Sequence, residues 1–180
     1  MLIFLLGQSS AQNPQLLSPI VDRILGFRRR NYPIFVLDKF LKKLKQLFLN
    51  LPVKNLQKSQ AFYEALGFSI NPVFTDNDQK CMVWSEQIYV MLQSHAFSSS
   101  YLQKPQADFR QVSGPSFTLP LESLSQVNTL AKNALNAGGI ESIPLIDEGF
   151  MQVRTIEDLD GHTWGLMYLD MGLFKQLSAK

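Results

Sequence analysis

Beyond residue 46 the chain alternates short apolar runs with two stretches of helical spacing. The first run, LFLNLPV (47–53), has the apolar content of a strand, and Pro52, which lacks an N–H, places it at a sheet edge or turns that position away from its neighbour. Asn55 is positioned to cap a helix over LQKSQAFYEAL, whose apolar face is Leu56, Ser59, Phe62, Tyr63 and Leu66, with Gly67 to end it. FSINPVF, QKCMVWSE and IYVMLQS follow as strands, with Asp76-Asn77-Asp78 as a turn between the first two. This half reads β-α-β-β-β. From Ser94 to Gly114 polarity rises over a long connection with room for a short helix, which is either a binding lid or a linker. The order then repeats. GPSFTLPLE (114–122) is a strand carrying Pro120, Ser123 or Ser125 can cap LSQVNTLAKNALNA, and Gly138-Gly139 stops that helix. IESIPLI, FMQVRTIED and HTWGLMYLD are strands, with Asp160-Gly161 as the turn between the last two.

The echo extends to detail: Leu51-Pro52-Val53 stands against Leu119-Pro120-Leu121, and each strand leads into a helix closed by glycine. Two halves with one element order point to duplication. The expected class is α+β, with tandem β-α-β-β-β modules at about 46–93 and 114–171 and a tail at 172–180. Neither module buries much surface alone, so the two must pair within or between chains.

Residues 1–45 differ in kind. They hold eight basic and two acidic side chains, net +6, whereas the rest holds nine basic and thirteen acidic, net −4. MLIFLLG is too short to span a bilayer and lacks the basic start of a secretory signal. GFRRRNYP has no recognition motif around its arginines and reads as a solvated face, not a nucleic-acid site. In DKFLKKLKQLF, Phe40, Leu41, Leu44, Leu47 and Phe48 recur at helical spacing among lysines, but the last two already belong to the first strand, leaving too few turns for a membrane helix. Residues 1–45 are therefore read as a basic extension outside the functional unit, and stable membrane insertion is not expected. The single cysteine, Cys81, rules out an internal disulfide; its alternating apolar setting reads as buried and inert. Thirteen Phe, five Tyr and two Trp fit either a well-filled core or an aromatic-lined pocket.

Two segments carry a family resemblance. LNLPVKNLQKSQAFYEALGF resembles the opening strand, cap and S-x-x-F-Y-x-x-L-G-F helix of the glyoxalase/bleomycin-resistance/dioxygenase (vicinal-oxygen-chelate) superfamily. FMQVRTIEDLDGHTWGLMYLD resembles its closing hairpin, with a D-x-D-G-[HN] turn. The resemblance implies curved mixed sheets around a cleft over residues 46–171. It also implies a divalent metal held by residues on the first and last strand of each module, which by position are Phe48, Met91, Ser116 and Gly165. Phenylalanine and glycine offer no side-chain donor, a neutral serine is a poor ligand, and a thioether does not suit hard or borderline metals. A shifted register would offer Asn50, Gln93 or Thr118, all weak. Metal ligands are therefore expected to be absent, and so is a cofactor, a divalent metal being the alternative.

The remaining chemistry is sparse. His162 lies in the D-G-H turn and is read as capping or packing there. His95 lies on the long connection, and Glu157, Asp158 and Asp160 read as a solvated turn. No phosphate loop, CxxC or HExxH is present. The expectation is a metal-free small-molecule binding protein with a floor of Phe48 and Met91. Trp84, Phe150, Tyr89, Trp164 and Tyr168 are candidate walls, and Asn50, Thr118 and Arg154 could supply polar contacts. Arg154 could instead face solvent or pair with an acid on the neighbouring strand. Two alternatives stand beside this reading: a lyase, isomerase or dioxygenase-like enzyme with a displaced metal site, and a structural or interaction domain with a closed cleft. An unknown small molecule, a homodimer, no nucleic-acid partner and a cytoplasmic location complete the expectations.

Overall fold

The computed structural model describes residues 45–179. The arginine patch, the short apolar start and most of the basic amphipathic stretch lie outside the described residues.

The first module runs β1 (Leu47–Val53), α1 (Leu56–Ala65), β2 (Ser69–Ile70), a 3₁₀ turn (Pro72–Phe74), β3 (Gln79–Val83) and β4 (Ile88–Ser94). The connection contains α2 (His95–Ser99). The second module runs β5 (Ser116–Pro120), α3 (Leu124–Asn136), β6 (Ile140–Asp147), β7 (Met151–Glu157) and β8 (Thr163–Leu169), and α4 (Met171–Ser178) follows. Local signals act as expected. Asn55 accepts from the Lys58 N–H at the start of α1, and Ser123 accepts from the Gln126 N–H at the start of α3. Gly67 closes the first helix at φ +103°, a conformation other residues rarely adopt. One strand is shorter than its sequence pattern: FSINPVF pairs only over Ser69–Ile70. Asn71 then caps the Val73 N–H at 3.0 Å, and Pro72 has no N–H to continue the ladder.

Each module forms a four-stranded mixed sheet, ordered β1-β4-β3-β2 and β5-β8-β7-β6. β1 lies parallel to β4, and β5 parallel to β8. The proline-bearing strands β1 and β5 are both edges. The sheets do not close into one. β6 is the far edge of the second sheet, and its pairing with β7 shifts register on both sides of Ile143.

The helices cover one face of each sheet and share one core. Leu51, Val53, Phe62, Tyr63, Leu66, Met82, Val90 and Leu92 pack with Leu119, Val127, Ala131, Ile156, Trp164 and Leu166. Trp164 stands edge-on to Tyr63, with ring centroids 5.7 Å apart. Full burial of side chains this large stabilises by about 1.5–3 kcal/mol each. No helix among the described residues is long and apolar enough to cross a membrane.

Candidate functional site

Register and alternation sort the strand residues into two sets. Leu51, Val53, Val90, Leu92, Leu119, Ile156, Trp164 and Leu166 turn to the shared core. The intervening positions turn to the faces without helices. On the first sheet these are Phe48, Asn50 and Pro52 of β1, opposite Tyr89, Met91 and Gln93 of β4, with Cys81 of β3 beside Met91. On the second they are Ser116 and Thr118 of β5, opposite Thr163 and Gly165 of β8, with Thr155 of β7 beside Gly165.

Six candidates from the sequence thus lie on these faces: Phe48, Asn50, Met91, Ser116, Thr118 and Gly165. Phe48 stacks on Tyr89 with centroids 4.7 Å apart and planes within 10°. Asn50 is exposed, and its Oδ1 accepts a long 3.4 Å contact from Gln93 Nε2. Met91 is buried. Ser116 and Thr118 are exposed, and Gly165 leaves room for Thr118: a Cβ there would sit 3.0 Å from Thr118 Oγ1.

The other three candidates lie elsewhere. Trp84 packs against Phe68 of the core, with centroids 5.1 Å apart. Phe150 meets Phe174 of α4. Arg154 shares its face with Ile156 and makes a bidentate pair with Glu141 of β6 at 2.6 and 2.7 Å, with Asn128 of α3 nearby. That hydrogen-bonded pairing holds the Glu141 carboxyl below its ordinary pKa and raises that of Arg154. Trp164 and Tyr168 also belong to the core side.

A cavity of about 250 Å³ opens at the seam between the sheets, lined by Phe48, Leu49, Asn50, Leu51 and Pro52 with Phe109, Pro115, Phe117 and His162. Sequence reasoning missed Phe109, Pro115 and Phe117 as lining residues. Phe109 belongs to the long connection, whose path has no periodicity to betray it, and Pro115 and Phe117 to the run that carries β5. The long connection also reaches the first sheet, where the Tyr101 hydroxyl donates to Gln93 Oε1 at 2.5 Å. Gln93, named from the sequence as a shifted-register candidate, lies two residues beyond Met91 and so on its face.

The DLDGH turn is the main correction. Asp158 and Asp160, read from sequence as solvated, are buried. The reason is a full set of donors. Asp158 Oδ1 accepts from the Asp160 and His162 N–H groups at 2.9 and 2.8 Å, and Oδ2 accepts from the Tyr63 hydroxyl at 2.9 Å. Tyr63 in turn accepts from Trp164 Nε1 at 3.0 Å. Asp160 accepts from the Lys54 N–H at 3.1 Å and Ser59 Oγ at 3.4 Å. Burial raises the Asp158 carboxyl above its usual range, against the opposing pull of His162 and the hydrogen bonds. Burial, and then the Asp158 charge, push Tyr63 well up. His162 Nε2 lies 2.9 Å from the Pro52 carbonyl and donates to it, since a carbonyl only accepts. The turn therefore clamps the second module onto the first and forms one wall of the seam cavity.

The four family metal positions can be tested on these side chains. Phe48, Met91, Ser116 and Gly165 sit on the helix-free faces as the resemblance implies, but they do not make a donor set for a divalent ion. Among the described residues no three His, Cys, Asp or Glu side chains are grouped to hold one. The Cys81 thiol is buried, and desolvation raises its pKa.

Comparison with known proteins supports the architecture. Residues 45–85 match the family model for the bleomycin resistance protein-like N-terminal region. A hypothetical protein from S. aureus is similar at 23% identity and TM-score 0.60, covering 72% of this chain and 98% of its own. A glyoxalase-related enzyme from Fulvimarina pelagi is similar at 18% identity and TM-score 0.59, covering 69% and 88%. A glyoxalase/bleomycin resistance protein/dioxygenase family enzyme from Burkholderia phytofirmans is similar at 12% and 0.57, covering 68% and 96%. No curated protein matches the sequence. The chain therefore shares the fold of these structures, two paired β-α-β-β-β modules, and over residues 45–85 it matches the bleomycin resistance protein-like N-terminal region.

Proposed function

We propose that the domain binds a small organic molecule at the seam between its sheets, and does so without the family metal. The observation that carries this reading is the set of side chains at the four metal positions: an aromatic ring, a thioether, a hydroxyl and a glycine. Metal catalysis needs ligands fixed in number and geometry, and this set supplies neither. What it supplies suits binding. Phe48 and Tyr89 form a stacked aromatic surface, and Asn50, Gln93 and Tyr101 place neutral polar groups beside it. The test is elemental analysis after loading with Zn²⁺, Ni²⁺, Mn²⁺ or Fe²⁺ and desalting. Far less than one equivalent of each metal is the expected result. Stoichiometric retention would overturn the metal-free reading and favour a lyase, isomerase or dioxygenase-like enzyme with a displaced site.

A second reading draws on a specific feature. Met91, Gln93 and Cys81 are buried although they face away from the helices, and the cavity falls below the roughly 300–1,000 Å³ of typical ligand pockets. An interaction domain whose cleft has closed by packing would share both properties. Saturable binding of an apolar probe at the seam separates the two readings.

A further inference from the structure

We infer that the seam cavity selects an uncharged ligand, an apolar body with neutral hydrogen-bonding groups, over either an anion or a cation of the same shape. The inference rests on the binding reading above and narrows it to a chemical class.

Charge is missing from the described lining of the seam cavity, unlike the larger hollow of about 510 Å³ lined by Arg154 and Glu141. Among the described residues the cavity is lined by aromatic, aliphatic and proline side chains, one amide, Asn50, and one imidazole, His162. The imidazole is committed: Nε2–H is spent on the Pro52 carbonyl, and Phe109 covers the ring at a centroid distance of 5.0 Å. Four charged side chains among the described residues near it are turned to other work. Arg154, the one side chain from which the sequence suggests anion recognition, is tied to Glu141 on the helix-bearing face. Arg110, on the segment that passes the cavity, donates to the Leu159 carbonyl. Asp158 and Asp160 point away into their own donors. An ion entering such a site surrenders water and meets no opposite charge, which penalises both signs. A neutral hydroxyl or amide loses less, and Asn50 can replace the lost water.

The experiment uses the full chain and three molecules of one size: 1-naphthalenemethanol, 1-naphthoate and 1-naphthylmethylammonium. Each is titrated by calorimetry against the unaltered protein and Asn50→Arg. The alcohol is expected to bind at least about tenfold tighter than either ion. Asn50→Arg, which puts a guanidinium at the cavity wall, is expected to strengthen naphthoate binding, a gain that misfolding cannot mimic. If either ion binds the unaltered protein as well as the alcohol does, the charge inference fails while the binding reading stands. If naphthoate binding does not respond to Asn50→Arg, the molecule sits elsewhere and the assignment to the seam fails. Should none of the three bind, the binding reading itself is overturned in favour of a closed cleft.

Discussion

The imidazole of His162 and the carbonyl of Pro52, 110 positions apart in the chain, meet at 2.9 Å. The bond joins the last turn of the second module to the edge strand of the first. Replacing His162 with alanine removes it and takes away the ring that packs, tilted, against Phe109. We expect His162→Ala to lose about 1–3 kcal/mol of stability. The urea midpoint should fall at constant slope; an unchanged midpoint would mean the turn docks without it.

Tyr63 is the other fastening. Its hydroxyl is at once a donor to Asp158 and an acceptor for Trp164, all three buried. Tyr63→Phe keeps the ring and strands both partners, so its cost should reach about 1–3 kcal/mol. Near-ultraviolet circular dichroism should register the altered Trp164 environment.

Asp158 predicts a pH dependence. Its folded pKa is raised above the ordinary 3.8, chiefly by burial, so the folded chain holds the proton more tightly than the unfolded chain does. That contribution is complete below the unfolded pKa and is lost as pH rises through the folded one. Asp158→Asn stays neutral throughout. Its stability relative to the parent should therefore improve as pH is raised from about 4 to about 7. Glu141, whose pKa is lowered by Arg154, slopes the other way, but both proteins share it and it cancels in the difference. Denaturant curves across this range give the comparison, and a gap that does not vary with pH would refute the claim.

The Arg154–Glu141 pair makes a contrasting case. Its side chains are 19% and 25% exposed, and neither lines the seam cavity. Arg154→Met should change stability by no more than about 1 kcal/mol. Ligand affinity at the seam should not move; a drop would place the guanidinium in the binding site after all.

Gly161 is held in a conformation with φ +91°, and a Cβ there would come within 2.6 Å of the Phe109 backbone carbonyl carbon. Gly161→Ala should cost at least about 1–3 kcal/mol from the backbone alone. The accompanying displacement of Phe109 should weaken any seam ligand, which a titration of the variant would reveal.

Much of this architecture can be read from local signals. Asn55, Ser123, Gly67 and the two edge prolines act through their own backbone chemistry, which needs no knowledge of distant residues. Alternation alone sets Phe48, Asn50 and Met91 on one face. What could not be read depends on pairings across the chain. Asp158 and Asp160 appear solvated until Tyr63, Ser59 and Lys54 arrive from the other module. For Arg154 the sequence offers a pairing with an acid on the neighbouring strand, which the structure bears out, but only the register of β6 against β7 makes that acid Glu141. Trp84 follows β3 and turns into the core through Phe68, which its spacing does not disclose.

The paired prolines have a consequence for a chain still being made. Pro52 aims its carbonyl out of the first sheet at His162, and the N–H it lacks would point the same way. Leu121 donates to Met167 of β8, so Pro120, one residue earlier, also faces outward. While the second module is still being synthesised, β1 is a bare edge, the kind of surface along which unfinished chains zip together and aggregate. A missing donor near the end of that edge interrupts the zipper before the His162 turn exists to cover it.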